Sequence, residues 1–201
     1  MPTETLALIE VSAVVGDFQI GAGQFPPINP LTIKGSSGDN DIRLRSEADM
    51  VIITQGGQDV IRSCAGANMI TPGGGADTLY LEYGHTTLRY ESFADSTLST
   101  TYGISFFTHG RDKIDLTGLG LSLAPQDVLE AAQAAVTAQT SLSAALNVFA
   151  QLTARHGAGH FPYGAYIYAF GNNGAAAFRS TEDLVIRLGW NAGLTGDDFV
   201  F

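Results

Sequence analysis

Aliphatic residues recur along the middle of the chain at Ile42, Val51, Ile61, Ile70, Leu79 and Leu88, nine apart with a single step of ten. A second apolar residue often follows two positions on, at Leu44, Ile53, Leu81 and Tyr90. Residues two apart on a strand share a face, so each unit predicts a short strand with one apolar side. Two positions before the aliphatics stand Asn40, Asp49, Asp59, Asn68, Asp77 and Thr86. Two before those stand Gly38, Glu47, Gly57, Gly66, Gly75 and Gly84. Glycine takes positive φ without a Cβ clash, so the polar half of each unit predicts a bend. The unit is the nonapeptide G-G-x-G-x-D-x-U-x, cleanest at 73–79. Its spacing predicts a mainly β fold: a parallel β-roll (β-solenoid) of degenerate nonapeptide repeats over 35–90, two units to a turn, in a unit that runs with its flanking strands over 35–119.

The pattern changes on either side. Residues 1–34 predict two short strands, Thr5–Val11 and Val14–Ile20, and then an extended Pro-rich linker, Gln24–Pro30. This segment reads either as a cap on the first turn or as an arm that anchors a partner. In 120–201 a two-helix insertion is predicted within Pro125–His156, ahead of a C-terminal β cap. Val128, Leu129, Ala132, Ala135 and Val136 share one helical face, and Leu142, Ala145, Leu146, Phe149 and Leu152 share another. Thr140 or Ser141 suits the second N-cap, Pro125 a first helical position and Gly157 a stop. The apolar faces read as packing on the sheet, with partner binding as the alternative. Phe161, Tyr163, Tyr166, Tyr168 and Phe170 follow, and Gly171–Gly174 is a hairpin signal pairing Ala165–Phe170 with Ala175–Arg179. These aromatics read as cross-strand packing or as a platform for a surface glycan.

A full turn is eighteen residues, so bends on one edge come from alternate units. One edge gathers Asn40, Asp59 and Asp77 with the bend glycines Gly56, Gly57, Gly73 and Gly75; the other carries Asp49, Asn68 and Thr86. Stacked strands lie about 4.8 Å apart, which sets an ion midway roughly 2.4 Å from each bend, a Ca–O distance. Magnesium wants shorter bonds, and oxygen-only donors disfavour zinc. Calcium (Ca2+) at the first edge is therefore expected, held by Asn40, Gly56, Gly57, Asp59, Gly73, Gly75 and Asp77. The alternative is a solenoid held by its aliphatic ladder, its metal sites decayed.

Charge narrows the partners. The 201 residues carry 20 acidic against 10 basic side chains, a net charge of −10. That balance disfavours nucleic acid and anionic membrane surfaces. With Cys64 as the one cysteine no internal disulfide forms, which leaves calcium as the staple for an exterior protein. No apolar run reaches a membrane span, and 1–34 lacks the pattern of an ordinary signal peptide.

Catalytic motifs are missing where they would be sought. His156-Gly-Ala-Gly-His160 has i, i+4 histidines, but it lacks a Glu and its glycines oppose a helix, so a loop is expected. No G-x-S-x-G elbow occurs, Cys64 has no adjacent basic group, and Gly21-Ala-Gly23 runs into Gln-Phe-Pro-Pro rather than a helix. The chain is expected not to be an enzyme.

After the repeats comes Phe107-Thr-His-Gly-Arg-Asp-Lys-Ile-Asp-Leu116, an F-x-x-G-x-D-K-I-D-L stretch. The end reads Glu182-Asp-Leu-Val-Ile-Arg-Leu-Gly189, then Asn191 to Asp198-Phe199-Val200-Phe201. These motifs, in this order, resemble the RTX (repeats-in-toxin) family, and more closely the C-terminal domain of serralysin-like secreted proteins. The resemblance covers about 35–119 and 165–201. It implies that Asp198, Phe199, Val200 and Phe201 form an uncleaved signal for type I secretion. Burial of Phe199 and Phe201 on one face of a closing strand is expected as well. Glycine doublets survive only at Gly56-Gly57 and Gly73-Gly74-Gly75, fewer than the family pattern. The zinc motif of the serralysin-like enzymes is missing. The first expectation for function is a non-catalytic, calcium-folded structural or adhesive module of a secreted or surface-exposed bacterial protein. The alternative is a subunit of an extracellular or phage-like particle (spike, fibre or surface layer) using the β-roll as a rod, with other subunits as partners. A secreted hydrolase lacking its catalytic domain is a third, weaker reading.

Overall fold

From Leu31 to Asp115 successive strands alternate between two sheets, apart from the two-residue strands Gly56–Gly57 and Gly74–Gly75, which pair with each other. The computed structural model describes residues 8–10, 31–43, 49–63, 65–100, 103–153, 157–175, 177–189 and 192–201. The expected Val14–Ile20 strand, the Gln24–Pro30 linker, and Leu44, Glu47, Cys64 and His156 lie outside them. The early strands are β1 (Leu8–Glu10), β2 (Leu31–Lys34), β3 (Asp41–Arg43), β4 (Met50–Ile53), β5 (Gly56–Gly57), β6 (Val60–Arg62), β7 (Ala67–Thr71), β8 (Gly74–Gly75), β9 (Thr78–Tyr80) and β10 (His85–Arg89). Then come β11 (Gly103–Ser105), β12 (Lys113–Asp115), β13 (Ser122–Leu123), helices α1 (Gln126–Val136) and α2 (Leu142–Leu152), β14 (Gly157–Tyr163), β15 (Tyr166–Gly171), β16 (Leu184–Gly189) and β17 (Phe199–Val200).

One sheet has the order β1-β2-β4-β7-β10-β12-β17, and every pairing in it is parallel. The other has the order β13-β14-β15-β16-β11-β9-β6-β3 and is parallel except for the β14-β15-β16 meander. Both are open. The chain is thus mainly β, with two helices and parallel sheets.

In the first sheet Ile33, Ile52, Ile70, Leu88, Ile114 and Phe199 stand in register. In the second, Ile42, Ile61, Leu79, Ile104 and Leu188 do the same. Both ladders are buried in one core cluster. Each such side chain is worth about 1.5–3 kcal/mol of burial. The structure corrects the expected ladder at one rung: Ile52 is buried, whereas Val51 is half-buried and pairs with Thr32 and Met69. The step of ten therefore falls one unit earlier than the sequence pattern placed it.

Both helices form within the expected span, but Pro125 is the N-cap of α1 rather than its first residue, and α2 ends at Leu152, so that Gly157 opens β14 instead of stopping the helix. Ser141 caps α2 by accepting a hydrogen bond from the Ala144 amide at 3.2 Å. Leu129, Ala132 and Val136 of α1 join Ala145, Leu146 and Phe149 of α2 in a second core against Phe161, Tyr168, Phe170 and Val185. Phe149 lies 4.8 Å from Phe161 and edge-on to Phe170. Gly159 permits this approach, since a Cβ there would sit 2.5 Å from Leu129 Cδ2.

The C-terminal half differs from expectation in three places. β15 pairs antiparallel with β14 and β16, not with Ala175–Arg179, so the hairpin turns at Gly164 and Ala165. Gly164, at φ 61°, supplies the left-handed turn that Gly171–Gly174 was expected to supply. His160 lies in β14 rather than in a loop, stacked at 6.1 Å on Phe199. Of the two terminal rings only Phe199 is buried; Phe201 is 40% exposed and stacks on it.

Candidate metal centre

The bends of Asn40, Asp59 and Asp77 follow one another along one edge at steps of nineteen and eighteen residues. β5 pairs with β8 in parallel, Gly56 opposite Gly74 and Gly57 opposite Gly75. The contact is too close for side chains. A Cβ on Gly75, at φ 140°, would lie 1.7 Å from the Gly57 carbonyl oxygen, and one on Gly57, at φ 106°, 2.6 Å from the Gly38 carbonyl carbon. Gly73, at φ 70°, turns the chain into the third bend against Gln55, and Gly56 faces the Gly74 carbonyl.

The stacking lines up Asn40, Asp59 and Asp77. Asp59 Oδ1 accepts from both the amide and the side-chain nitrogen of Asn40, each at 2.8 Å. Asp77 Oδ1 accepts from the Asp59 amide at 2.9 Å. Asn40 Oδ1 is engaged by the amide and hydroxyl of Ser36. Asn40 therefore closes the row as a donor, with its oxygen committed.

The second oxygens of the two aspartates are different. Asp59 Oδ2 and Asp77 Oδ2 are shielded from solvent and accept no hydrogen bond among the described residues. Other buried carboxylates are fully served. Asp112 takes the Thr86 and Thr108 amides, Asp183 those of Asn173 and Arg179, and Asp198 those of Gly110 and Thr195, one on each oxygen. A buried polar oxygen left without a partner costs free energy, so its demand points to a proton or a cation. Burial lifts Asp59 above the ordinary carboxylate range despite the opposing pull of Asn40 and of the nearby Thr54 hydroxyl, which itself donates to the Pro72 carbonyl at 2.6 Å. Asp77 is pushed up to about 7, first by burial; the Asp59 amide opposes this, and the charges of Asp59, Asp95 and Asp39 add to it.

The donor set fits calcium. Two carboxylate oxygens with open valence stand beside glycine bends whose carbonyls approach closely, and calcium accepts irregular all-oxygen shells. No group of three or more His, Cys, Asp or Glu side chains is placed to share an ion among the described residues, so backbone carbonyls would complete the shell. Gly56, Gly57, Gly73 and Gly75 act by letting the bends stack.

The opposite edge is built otherwise. Met50, not Asp49, pairs with Asn68, and Met50 is fully buried. Asp49 Oδ1 instead accepts from the Ala67 amide. Thr86 and Asp112 follow, with Arg111 at 2.9 Å from Asp112. One position eighteen residues beyond Asp77 escaped the sequence reading as part of the first edge: Asp95. It sits in a short 3₁₀ turn, Phe93–Asp95, where its carboxylate takes the Glu91 and Ser92 amides. Asp95 ends the row beside Asp77, lining one small cavity with Asp77, Tyr90 and Arg187.

At the C-terminus Asp198 is buried at the junction of β12 and β17. Against burial, the Gly110 and Thr195 amides and His109 hold its carboxyl below the usual range. His109 Nδ1 lies 2.8 Å from Asp198 Oδ2, and Lys113 Nζ donates to the Asp197 carbonyl at 2.7 Å. The structure thus sets Asp198 on His109 and Gly110 and pairs Phe199 and Val200 with Ile114 and Asp115 of the D-K-I-D-L stretch, while the side chains of Val200 and Phe201 lie at the surface.

No helix among the described residues is long and apolar enough to cross a membrane. A scan against protein-family models finds no match to the chain, and a search of curated proteins finds no significant one.

Proposed function

We propose that the chain is a non-catalytic calcium-binding β-roll module, similar to the RTX domains of secreted bacterial proteins, with a structural or adhesive role at the cell exterior. Alternation of strands between two parallel sheets, at eighteen or nineteen residues per turn on the Asn40–Asp77 edge, supports the roll. The observation that carries the metal reading is the pair of buried, unserved oxygens, Asp59 Oδ2 and Asp77 Oδ2, within stacked glycine bends. Calcium there neutralises two adjacent carboxylates in a chain of net charge −10 and ties consecutive turns together. Export by a type I system belongs to the same reading, with Asp198-Phe199-Val200-Phe201 as the signal.

Calorimetric titration of the chelator-treated protein with calcium tests the site. A dissociation constant of order 10⁻⁴–10⁻³ M is expected, as for extracellular calcium modules. Asp59→Ala or Asp77→Ala abolishes the heat and Asp49→Ala retains it. Equal losses at Asp49 and Asp77 would remove the assignment to this edge.

A further inference from the structure

The outer face of the second sheet carries two arginines that lie on tyrosine rings rather than on carboxylates. Arg62 Cζ is 3.9 Å from the Tyr80 ring centroid, and Arg187 Cζ is 4.8 Å from that of Tyr166. Arg43, Arg89, Arg111 and Arg179 are each ion-paired. Among the described residues, Arg62 and Arg187 are the arginines without an ion pair, and Arg187 Nε also has no hydrogen-bond partner. In a protein of net charge −10, two cations left uncommitted on one face call for an explanation.

Strand register sets these pairs at the two ends of one row across the sheet. Arg62 pairs with Tyr80, Tyr80 with Ser105, and Tyr166 with Gly189, while the Ile104–Leu188 pair joins the two halves. The row across the sheet is therefore Arg62, Tyr80, Ser105, Gly189, Tyr166. Its middle lacks large side chains, and a trough of about 190 Å³ opens there along Thr78, Gly103, Ser105, Tyr166, Arg187 and Gly189. Three strand spacings separate the tyrosines, about 14 Å.

A strained residue stands at the Tyr80 end of the row. Phe106 is the non-glycine residue with positive φ, 66°, among the described residues, and it is 62% exposed. Its ring lies 6.4 Å from Tyr80. Arg111 holds its carbonyl at 3.1 Å while also bonding Leu81 O and Asp112. A bulky residue in the left-handed region is costly, and an exposed ring recovers little of that by burial. Such outliers gather at binding sites.

Aromatic faces carry negative charge density that attracts the C–H faces of sugar rings, and guanidinium groups take carboxylates with two parallel hydrogen bonds. The arginines are few and separated, which suits a ligand with spaced carboxylates better than a dense polyanion. We propose that this row, with the trough at its middle, binds a carboxylated oligosaccharide laid across β9, β11, β16 and β15. Tyr80, Phe106 and Tyr166 stack on its rings, and Arg187 and Arg62 take its carboxylates.

Calorimetry of the full chain with a hyaluronan hexasaccharide, against a neutral chitin hexasaccharide, tests this in chelator and in calcium. Hyaluronan binds in both buffers, and the neutral sugar is weaker by about tenfold or more, the worth of a lost charged contact. Arg187→Gln and Phe106→Gly each lower affinity by about tenfold, while Tyr83→Ala, exposed elsewhere, does not. Asp59→Asn, at a residue that lines neither the trough nor the cavity beside Arg187, leaves sugar binding intact and so separates this site from the calcium reading. Phe106→Gly accepts φ 66° and removes only an exposed ring, so it decides the matter even if Arg187→Gln melts early. No hyaluronan binding, equal binding of the neutral sugar, or full affinity in Phe106→Gly overturns the proposal.

Discussion

Replacing Asp77 by asparagine should remove this group's share of the protein's response to pH and abolish its response to calcium. In the unfolded chain Asp77 titrates near 3.8, and in the fold it titrates at about 7. Between those values the folded state keeps a proton that the unfolded state has lost. Without calcium, the stability from this group is full below about pH 4 and is lost as pH rises through about 7. The shift corresponds to at most about 4 kcal/mol, and partial exposure of the residue with solvent screening brings this to about 2 kcal/mol. For a chain of this size that is about 4–8 °C in melting temperature. The neutral amide of the variant resembles the protonated acid, so in chelator at about pH 8 Asp77→Asn melts above wild type by that margin, and below about pH 4 the two curves converge. With calcium near ten times its dissociation constant, wild type gains about 1.4 kcal/mol at about pH 8 and Asp77→Asn gains nothing. Burial lowers His160, whose contribution rises with pH over the same range, so the variant difference and not the wild-type slope is the measurement. Thermal unfolding by circular dichroism over this pH and calcium grid suffices. Parallel curves for the two proteins in chelator would refute the buried-carboxylate argument.

Further outcomes follow from other sites. Gly75→Ala places a Cβ 1.7 Å from Gly57 O and should cost more than about 3 kcal/mol and abolish calcium binding, whereas Gly110→Ala, with nothing within 4 Å, should cost about 1 kcal/mol for its φ alone; denaturant titration separates them. Asp198→Asn should destabilise by about 2–3 kcal/mol near neutral pH by removing a buried charge that accepts two amides and faces His109. Because the Asp198 carboxyl is depressed, that difference should shrink as acid protonates the wild type, and melting curves below about pH 4 check it. Phe149→Ala should cost about 3–5 kcal/mol by opening a cavity between the helices and β14–β16, read from the urea midpoint.

The period was legible because each strand spends one apolar residue on the core and each bend needs a glycine. The stack of Asn40, Asp59 and Asp77 followed from counting, and their hydrogen-bonded row agrees with the count. The ladder slip at Val51 and Ile52 was not legible, since both are apolar and only pairing with Ile33 and Ile70 tells them apart. The hairpin was misplaced because Gly171-Asn-Asn-Gly174 carries a stronger turn signal than the lone Gly164. There the sheet decided: β16 was available to pair with β15, and Asn172 instead bonds its own loop at Ala175. The Arg62–Tyr80 and Arg187–Tyr166 rows join segments far apart in sequence, so no local pattern announces them. Phe199 and Phe201 share a face by alternation, but the pairing with β12 extends only to Val200.

The insertion that carries α1 and α2 also has a kinetic consequence. It separates β12 from β17 and β11 from β16, so Ile114 waits for Phe199 and Ile104 for Leu188. Pairing at such sequence separation is slow, because closing the loop is disfavoured until the contact forms. During synthesis the early turns emerge with one open end and two unpaired strand edges. Those edges are the surface on which a second growing chain can add. The helices with β14–β15 form a compact local unit that delivers β16 to its place, and the speed of that delivery sets how long the edge stays exposed.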